Sequence, residues 1–204
     1  MNEISVPRFA KVAEAKFPSE FGEFRIYGFE GEVGGETEEA VVLKMGDFPP
    51  GYAPLVRIHS QCLTGDVFHS LRCDCRAQLE LALEAIAEEG RGLLIYENQE
   101  GRGIGLLNKL RAYELQDHGA DTVEANERLG FAADLRAYQL PGSILNYLGV
   151  PAVRLLSNNP EKIAALENAG IRVVERVPCV VPPTATTEDY LRTKREKMGH
   201  LLDL

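Results

Sequence analysis

The sequence predicts an α/β fold: a single layered domain, residues 1–204, in which helices flank a mixed β-sheet. Three observations lead to this prediction. Segments typical of strands alternate with segments typical of helices along most of the chain. The chain has 204 residues, the size of one domain, and contains no internal repeat and no long linker. Its composition is that of a globular protein, with 45% apolar and 26% charged residues.

The first half of the chain contains strands followed by one clear helix. Strands are predicted at residues 23–29, 40–45 and 54–60. A helix is predicted at 76–89, where Leu79, Leu83 and Ile86 recur on one face. Gly90 follows that helix and favours its end, because glycine readily adopts the left-handed conformation found there.

The second half continues the alternation of strands and helices. In chain order we predict a strand at 91–99, a helix at 106–119, a short helix at 143–149, a strand at 152–157, a helix at 158–170 and a strand at 171–177. In the third of these helices Pro160 favours the first turn and Gly170 the end. Residues 178–190 are predicted to be irregular, and the tail is predicted to be a charged helix.

The overall charge limits the classes of partner. With 22 Lys and Arg against 31 Asp and Glu, the formal net charge is −9. An acidic chain is poorly suited to general nucleic-acid binding or to a membrane surface, so we expect neither partner. No apolar run is long enough for a membrane span, and the first residues lack an apolar export signal, so we expect a cytoplasmic protein. A local cluster of Arg and Lys could still bind a small anion.

Three of the four cysteines lie close together in the sequence, at Cys62, Cys73 and Cys75. Clustered thiols in a cytosolic chain point to metal rather than disulfides, and three thiolates suit zinc. With water as the fourth ligand the site would be open and catalytic. A fourth protein ligand would make it structural; the candidates are His59, His69 and Cys179. Buried cysteines without metal are the third possibility.

Two strand-to-helix junctions could bind phosphate. The loop 100–105, EGRGIG, combines glycines with Arg102 at the start of a helix, where backbone N–H groups are unpaired. The alternative is simply a tight turn. At the second junction, Ser157 could donate to an anion and Lys162 could neutralise it. The alternative there is an ordinary helix start at Asn159.

Four further polar residues allow more than one interpretation. His59 could be a metal ligand, a residue that orients a ligand, or a core histidine. Tyr113 falls on the apolar stripe of its helix, which favours a core tyrosine over a catalytic one. Asp134 and Arg136 could be a solvated ion pair, although residues two apart would not face each other on a helix.

These motifs together resemble the GTP cyclohydrolase II family. The matching stretches are RIHSQCLTGDVFHSLRCDC, EGRGIGLLNKLRAYELQDHGADTVEANERLGFAADLR, LLSNNPEKI, ERVP and KREKMGH. The likeness extends from about residue 9 to the end of the chain. No second domain for dihydroxybutanone phosphate synthesis accompanies it, so we expect the monofunctional form.

The resemblance implies a reaction. GTP would be converted to 2,5-diamino-6-(5-phosphoribosylamino)pyrimidin-4(3H)-one, formate and pyrophosphate, which is the first step of riboflavin biosynthesis. Zn²⁺ would act at the imidazole ring of the base, Mg²⁺ would accompany the phosphates, and the protein would be a homodimer. Two alternatives stay open: a paralogue that opens the ring but retains the formyl group, and a nucleotide-binding protein with structural zinc.

The resemblance also assigns residues. Zinc would be bound by Cys62, Cys73 and Cys75. The residues assigned to GTP are Arg57, Ile58, His59, Ser60, Gln61, Gln78, Glu100, Gly101, Arg102, Thr122, Ser157 and Lys162. Asp134 would be the proton acceptor, Arg136 the nucleophile toward the α-phosphate, and Tyr113 a catalytic tyrosine. Because a guanidinium is rarely deprotonated, we expect Arg136 to stabilise the departing pyrophosphate instead.

Overall fold

The computed structural model describes residues 9–182 and 187–201. The described chain forms a seven-stranded sheet with helices on both faces. The strands are β1 (Phe9–Ser19), β2 (Gly22–Val33), β3 (Glu36–Met45), β4 (Leu55–Ser60), β5 (Gly92–Glu97), β6 (Ala152–Leu156) and β7 (Arg172–Val177). The helices are α1 (Leu63–Asp66), α2 (Cys75–Glu89), α3 (Leu106–Asp117), α4 (Thr122–Arg128), α5 (Gln139–Tyr147), α6 (Pro160–Asn168) and α7 (Glu188–Met198).

The sheet is half antiparallel and half parallel. Its order is β1-β2-β3-β5-β4-β6-β7. Pairing is antiparallel from β1 to β5 and parallel from β5 through β4 and β6 to β7. Parallel strands present their carboxyl ends at one edge, and ligands of α/β proteins commonly bind there. β4, β5 and β6 therefore end side by side, where Ser60, Glu97 and Ser157 lie.

Each face of the sheet is covered by apolar side chains. On one face α5 and α6 contribute Ile144, Leu145 and Leu166, which pack with buried residues of β2 to β6. On the other face α2 contributes Leu83 and Ile86, which pack with residues of β2 to β6 and with Cys179. This two-sided burial explains why β5 is almost continuously apolar, as central strands of a parallel sheet usually are. β4 is equally buried, but it carries the polar side chains of Arg57, His59 and Ser60.

The predicted α/β class with a mixed sheet and flanking helices is confirmed. The predicted elements are present with small shifts; the short helix predicted at 143–149 runs from Gln139 to Tyr147. Two elements have no counterpart among those predicted from the sequence: β1, which pairs with β2 as an exposed edge strand, and α4, which Asp121 caps.

The charged C-terminal helix is confirmed as α7, which begins inside the stretch predicted to be irregular. Residues 178–182 are irregular, as predicted, and the rest of that stretch before 187 lies outside the described residues. No helix in the described ranges is both long and apolar enough to cross a bilayer.

Candidate active site

A single cavity opens at the carboxyl ends of β4, β5 and β6, and it contains most of the residues assigned from the sequence. Those that line it are Arg57, His59, Ser60, Gln61, Cys62, Cys73, Cys75, Gln78, Gly101, Arg102, Tyr113, Thr122, Arg136, Ser157 and Lys162. Three assigned residues do not line it. Ile58 is a core residue, Glu100 is buried within its loop, and Asp134 pairs with Arg136 and lines a neighbouring cavity.

The three clustered thiols converge at one end of this cavity. Cys62 precedes α1, and Cys75 begins α2. The Sγ atoms of Cys62 and Cys73 are 3.7 Å apart, and all three Sγ atoms lie within 4.8 Å of one another. Gly65 makes this convergence possible, because a Cβ at that position would lie 2.9 Å from the Sγ of Cys73 and 3.1 Å from that of Cys62. The described thiol cluster could therefore hold a metal such as zinc.

The electrostatics of the cluster favour negative charge on Cys62. Hydrogen bonds from Cys73 and Cys75, together with the nearby ammonium of Lys109, lower the pKa of the Cys62 thiol. The Nζ of Lys109 lies 3.1 Å from that sulfur. The same contact with Cys62 raises the pKa of Cys73 to about 11, and the contacts with Cys62 and Cys73 raise that of Cys75. A divalent cation would therefore displace the remaining thiol protons as it binds.

None of the candidate fourth ligands joins the three thiols within the described part of the chain. Cys179 is buried in the core beneath α2, and its Sγ lies 3.9 Å from the carbonyl oxygen of Gln78. His69 is exposed. His59 faces Asp66, with Nε2 3.2 Å from each carboxylate oxygen. The arrangement of the described residues is that of an open site.

Asp66 organises the loop around Cys62. Its carboxylate accepts hydrogen bonds from the hydroxyl of Tyr96 at 2.7 Å and from the backbone N–H of Cys62 at 3.0 Å. Burial lowers the pKa of His59, although the bond to Asp66 opposes this. His59 is therefore a neutral residue that orients Asp66 and, through it, the loop of Cys62.

The glycine-rich loop is linked to the cysteine loop by Glu100. Its carboxylate accepts from the N–H of Leu63 and from Lys109, both at 2.7 Å. Residues Gly101 and Arg102 then adopt left-handed φ values of 63° and 61°. For an arginine that conformation costs about 1 kcal/mol or more. The terminal nitrogens of Arg102 are buried and have no hydrogen-bond partner among the described residues, so they remain available to a ligand.

Lys162 and Arg57 form a cationic group on the other side of the cavity. Arg57 donates to the carbonyl of Leu156 at 3.0 Å and to Gln78 at 2.7 Å. Lys162 donates to the carbonyl of Ile58 at 2.9 Å. Burial, and then the charges of Arg57 and Arg136, lower the pKa of Lys162 well below its usual value. An anion placed here would raise the pKa of Lys162 again and favour its ammonium form.

The cavity is cationic although the chain carries a net charge of −9. The Lys and Arg residues that line it are Arg57, Arg72, Arg102, Lys109, Arg136, Lys162 and Lys194. A low-dielectric cleft lined by one sign of charge concentrates ligands of the opposite sign. The expectation of a local cluster that binds anions therefore has its structural counterpart here.

Asp134 and Arg136 form a largely buried ion pair, which corrects the interpretation as a solvated pair. The Nε of Arg136 lies 2.9 and 3.1 Å from the two carboxylate oxygens, and the side chains are 12% and 14% exposed. The pair can form because residues 131–138 are not helical. Burial raises the pKa of Asp134, but the hydrogen bonds and charge of Arg136 outweigh it and hold that pKa below the usual range. In the same pair Asp134 raises the pKa of Arg136 against the effect of burial.

Tyr113 is not the core residue that its place on the apolar stripe favoured. It is half-buried and lines the cavity, and its hydroxyl lies 3.1 Å from the Oγ1 of Thr64. Burial raises its pKa, so the hydroxyl is protonated at neutral pH. Thr64 follows Cys62 closely, so the phenol stands beside the thiol cluster.

Several residues of the site were missed in the sequence. Lys109 and Asp66 contact Cys62 directly, and Lys194 reaches the cavity from α7. Lys109 lies four residues after Gly105, at the position where the first turn of α3 faces the preceding loop, which is a signal that could have indicated it. Nothing local indicates Lys194, because its partner, Asp74, is 120 residues away in the chain.

This chain is similar to known proteins over most of its length. A family model described as GTP cyclohydrolase II matches residues 10–178. The chain is 57% identical over 192 residues to a GTP cyclohydrolase-2 of Yersinia pseudotuberculosis, covering 94% of this chain and 97% of that protein. It is also 57% identical over 194 residues to the GTP cyclohydrolase-2 of Escherichia coli K12, covering 95% and 97%.

Among solved structures, the chain aligns with a two-domain 3,4-dihydroxy-2-butanone 4-phosphate synthase from A. baumannii. The TM-score is 0.47 at 18% identity, and the alignment covers 85% of this chain and 40% of that one. At that score the structural similarity supports no conclusion about this chain. The family match and the near-full-length relatives show that this chain belongs to the GTP cyclohydrolase II family and is an enzyme of that type.

Proposed function

We propose that this protein hydrolyses GTP to 2,5-diamino-6-(5-phosphoribosylamino)pyrimidin-4(3H)-one, formate and pyrophosphate, the first step of riboflavin biosynthesis. The observation that carries the proposal is the joint placement of a three-thiol cluster and a group of buried cations in one cavity. A nucleoside triphosphate needs both: a reactive centre at the base and a positive end for its phosphates. The names of the relatives supply the substrate.

The thiol end fits zinc. The site offers three thiolate donors, which are soft ligands of the kind that zinc prefers. The absence of a side chain at Gly65 leaves the space in which the three sulfurs converge. When bound there, zinc supplies a Lewis acid that lowers the pKa of a bound water to about 7. Lys109, which lies against Cys62, offsets part of the thiolate charge and keeps the centre electrophilic.

The phosphate end is built from three kinds of donor. Lys162 supplies an ammonium, Arg102 supplies unpartnered guanidinium N–H groups, and Ser157 supplies a hydroxyl at the start of α6. Together with Arg57 these residues would offset about four phosphate charges, with Mg²⁺ as the counterion carried by the substrate. The assignment of Thr122 to the nucleotide agrees with its place on the cavity wall.

The remaining groups handle protons and the leaving group. Two waters open the ring and release formate, and a third cleaves the bond between the α- and β-phosphates. The phenol of Tyr113 is protonated and stands beside the thiol cluster, so it can donate a proton to the attacked base. Arg136 is more firmly protonated than usual, so we assign it electrostatic stabilisation of the departing pyrophosphate rather than nucleophilic attack.

We assign Asp134 the role of orienting Arg136. Because its pKa is lowered, it is ionised at neutral pH and is a weak base while the pair is intact. Accepting a proton in the reaction would require the pair to loosen. The homodimer, the cytoplasmic location and the extension of the domain over 1–204 stay predictions from the resemblance and the sequence.

The test is product analysis with GTP. The zinc-loaded protein should release formate in a one-to-one ratio with pyrophosphate, and the product mass should lack the formyl carbon. Cys73→Ser should abolish formate release and still bind a non-hydrolysable GTP analogue. Cys179→Ala is the matched control, since that thiol is buried in the core away from the cluster, and it should keep its activity. A product that retains formyl, or binding without turnover, would contradict the proposal.

A further inference from the structure

The C-terminal helix α7 forms part of the wall of the cavity. Tyr190 and Lys194 line it, and so does His200, just beyond the end of the helix. The ammonium of Lys194 lies 4.4 Å from the centre of the Tyr190 ring. The family model ends at residue 178, so these contacts come from a part of the chain that the model does not match.

At the cavity wall, Lys194 forms an ion pair with Asp74. Its Nζ donates to Oδ1 of Asp74 at 2.9 Å, and the two side chains are only 12% and 5% exposed. The other oxygen, Oδ2, accepts from the amide of Gln78, which in turn accepts from Arg57 at 2.7 Å. Both oxygens of Asp74 are therefore held, one from α7 and one from α2.

Asp74 is the residue between two of the three clustered thiols. It follows Cys73 directly and is the last residue before α2, which begins at Cys75. Fixing its carboxylate fixes the backbone that joins Cys73 to Cys75. The direction in which these two sulfurs point consequently depends on both anchors of Asp74.

We propose that Lys194 is a positioning residue for the metal site. It holds Asp74, and through Asp74 the Cys73–Cys75 turn, in the arrangement that lets the sulfurs converge. Without Lys194, the buried carboxylate of Asp74 would have no cation beside it and would stand next to three thiolates. Because an unpaired buried charge is costly, the Cys73–Cys75 turn would then move so that this carboxylate reaches water. The inference rests on the proposed zinc site and adds to it a dependence on α7.

The other ion pairs of α7 differ from this one in exposure and in place. Lys197 pairs with Asp121 and lies 3.5 Å from Glu124, and Arg195 lies 3.3 Å from Glu196; these side chains are between 29% and 55% exposed. Such surface pairs contribute little. Arg195 is one residue from Lys194 on the same helix and does not line the cavity, so Arg195→Gln is a matched control.

The experiment measures how fast full-length, zinc-loaded protein gives up its metal to a chromophoric chelator. Lys194→Gln should release zinc at least about tenfold faster than the unmodified protein, the usual effect of losing a group that orients metal ligands. Lys194→Arg should restore most of the retention, because it keeps the charge and the hydrogen bond. Arg195→Gln should release zinc at the unmodified rate.

Asp74→Asn tests the same pair from the other side and decides the matter if Lys194→Gln fails to fold. It should also speed release, and combining it with Lys194→Gln should add little to either single effect. Unchanged release in folded Lys194→Gln or in Asp74→Asn, or fully additive effects, would overturn the inference while leaving the zinc site intact. An unmodified protein that binds no zinc would overturn the proposed function and this inference together.

Discussion

Replacing Gly65 with alanine tests whether the fold holds the three sulfurs in place. The new Cβ would lie 2.9 Å from the Sγ of Cys73, against 3.4 Å for ordinary van der Waals contact, so that sulfur must move by about 0.5 Å. It would also lie 3.1 Å from the Sγ of Cys62 and from the Cβ of Cys75. Metal–ligand distances vary by only about ±0.2 Å, so the sulfurs cannot all keep a productive position.

We expect Gly65→Ala to weaken zinc binding about tenfold to a hundredfold, or about 1.4–2.7 kcal/mol. Alanine favours a helix over glycine by up to about 1 kcal/mol, which acts in the opposite direction on folding. The assay is competition for zinc against a chromophoric chelator, with melting temperatures measured alongside.

Gly28→Ala is the matched control for this substitution. Gly28 lies in β2, and a Cβ there would meet nothing within 4 Å. It should leave zinc affinity unchanged. A Gly65→Ala protein that melts higher than the original and binds zinc with the original affinity would refute the argument from crowding.

Three further substitutions test other parts of the site. Tyr113→Phe should lower kcat about a hundredfold through loss of a proton donor, with zinc content unchanged; steady-state kinetics and metal analysis check this, and an unaltered kcat would count against it. Lys162→Met should raise the Kd of a non-hydrolysable GTP analogue about tenfold to a hundredfold, the value of a charge-assisted hydrogen bond; calorimetry that shows equal affinity would remove Lys162 from the site. Burial raises the pKa of Glu97 from 4.5 to about 7, so the folded protein holds a proton that the unfolded chain releases, and the free energy of unfolding falls as pH rises through that window. Glu97→Gln should therefore gain stability over the original protein, by up to about 3 kcal/mol above pH 7 and little at pH 4.5; melting curves that differ equally at both pH values would contradict this.

The elements that could be predicted from the sequence are those with a clear local pattern of apolar residues and helix-ending signals. β5 is an almost continuous apolar run, and α2 has a regular apolar stripe followed by Gly90, which ends the helix. β1 escaped prediction because most of its side chains are exposed, and its strand is defined by pairing with β2 rather than by its own pattern. α4 escaped although Asp121 and Glu124 form a capping box, a signal present in the residues themselves.

In the candidate site, too, the residues with a local sequence pattern were predicted, and those that depend on contacts between distant or irregular segments were not. The spacing of the cysteines indicated the metal ligands, because neighbouring residues supply them. Tyr113 was misjudged from the residues alone: its stripe partner Leu110 is 45% exposed, so that stripe does not face the core. The Asp134–Arg136 pair depended on an irregular segment, and Lys194–Asp74 on two segments 120 residues apart. Neither arrangement has a local signature.

The acidic exterior and the cationic cavity act on an approaching nucleotide over different distances. At physiological ionic strength, charges more than about 8 Å apart in solvent are largely screened, whereas buried cations such as Arg57 are screened much less. Added salt therefore removes the repulsion by the net charge of −9 before it weakens the attraction at the cavity. Diffusional capture of a triphosphate by this enzyme consequently tolerates changes in ionic strength that would slow a protein dependent on long-range steering.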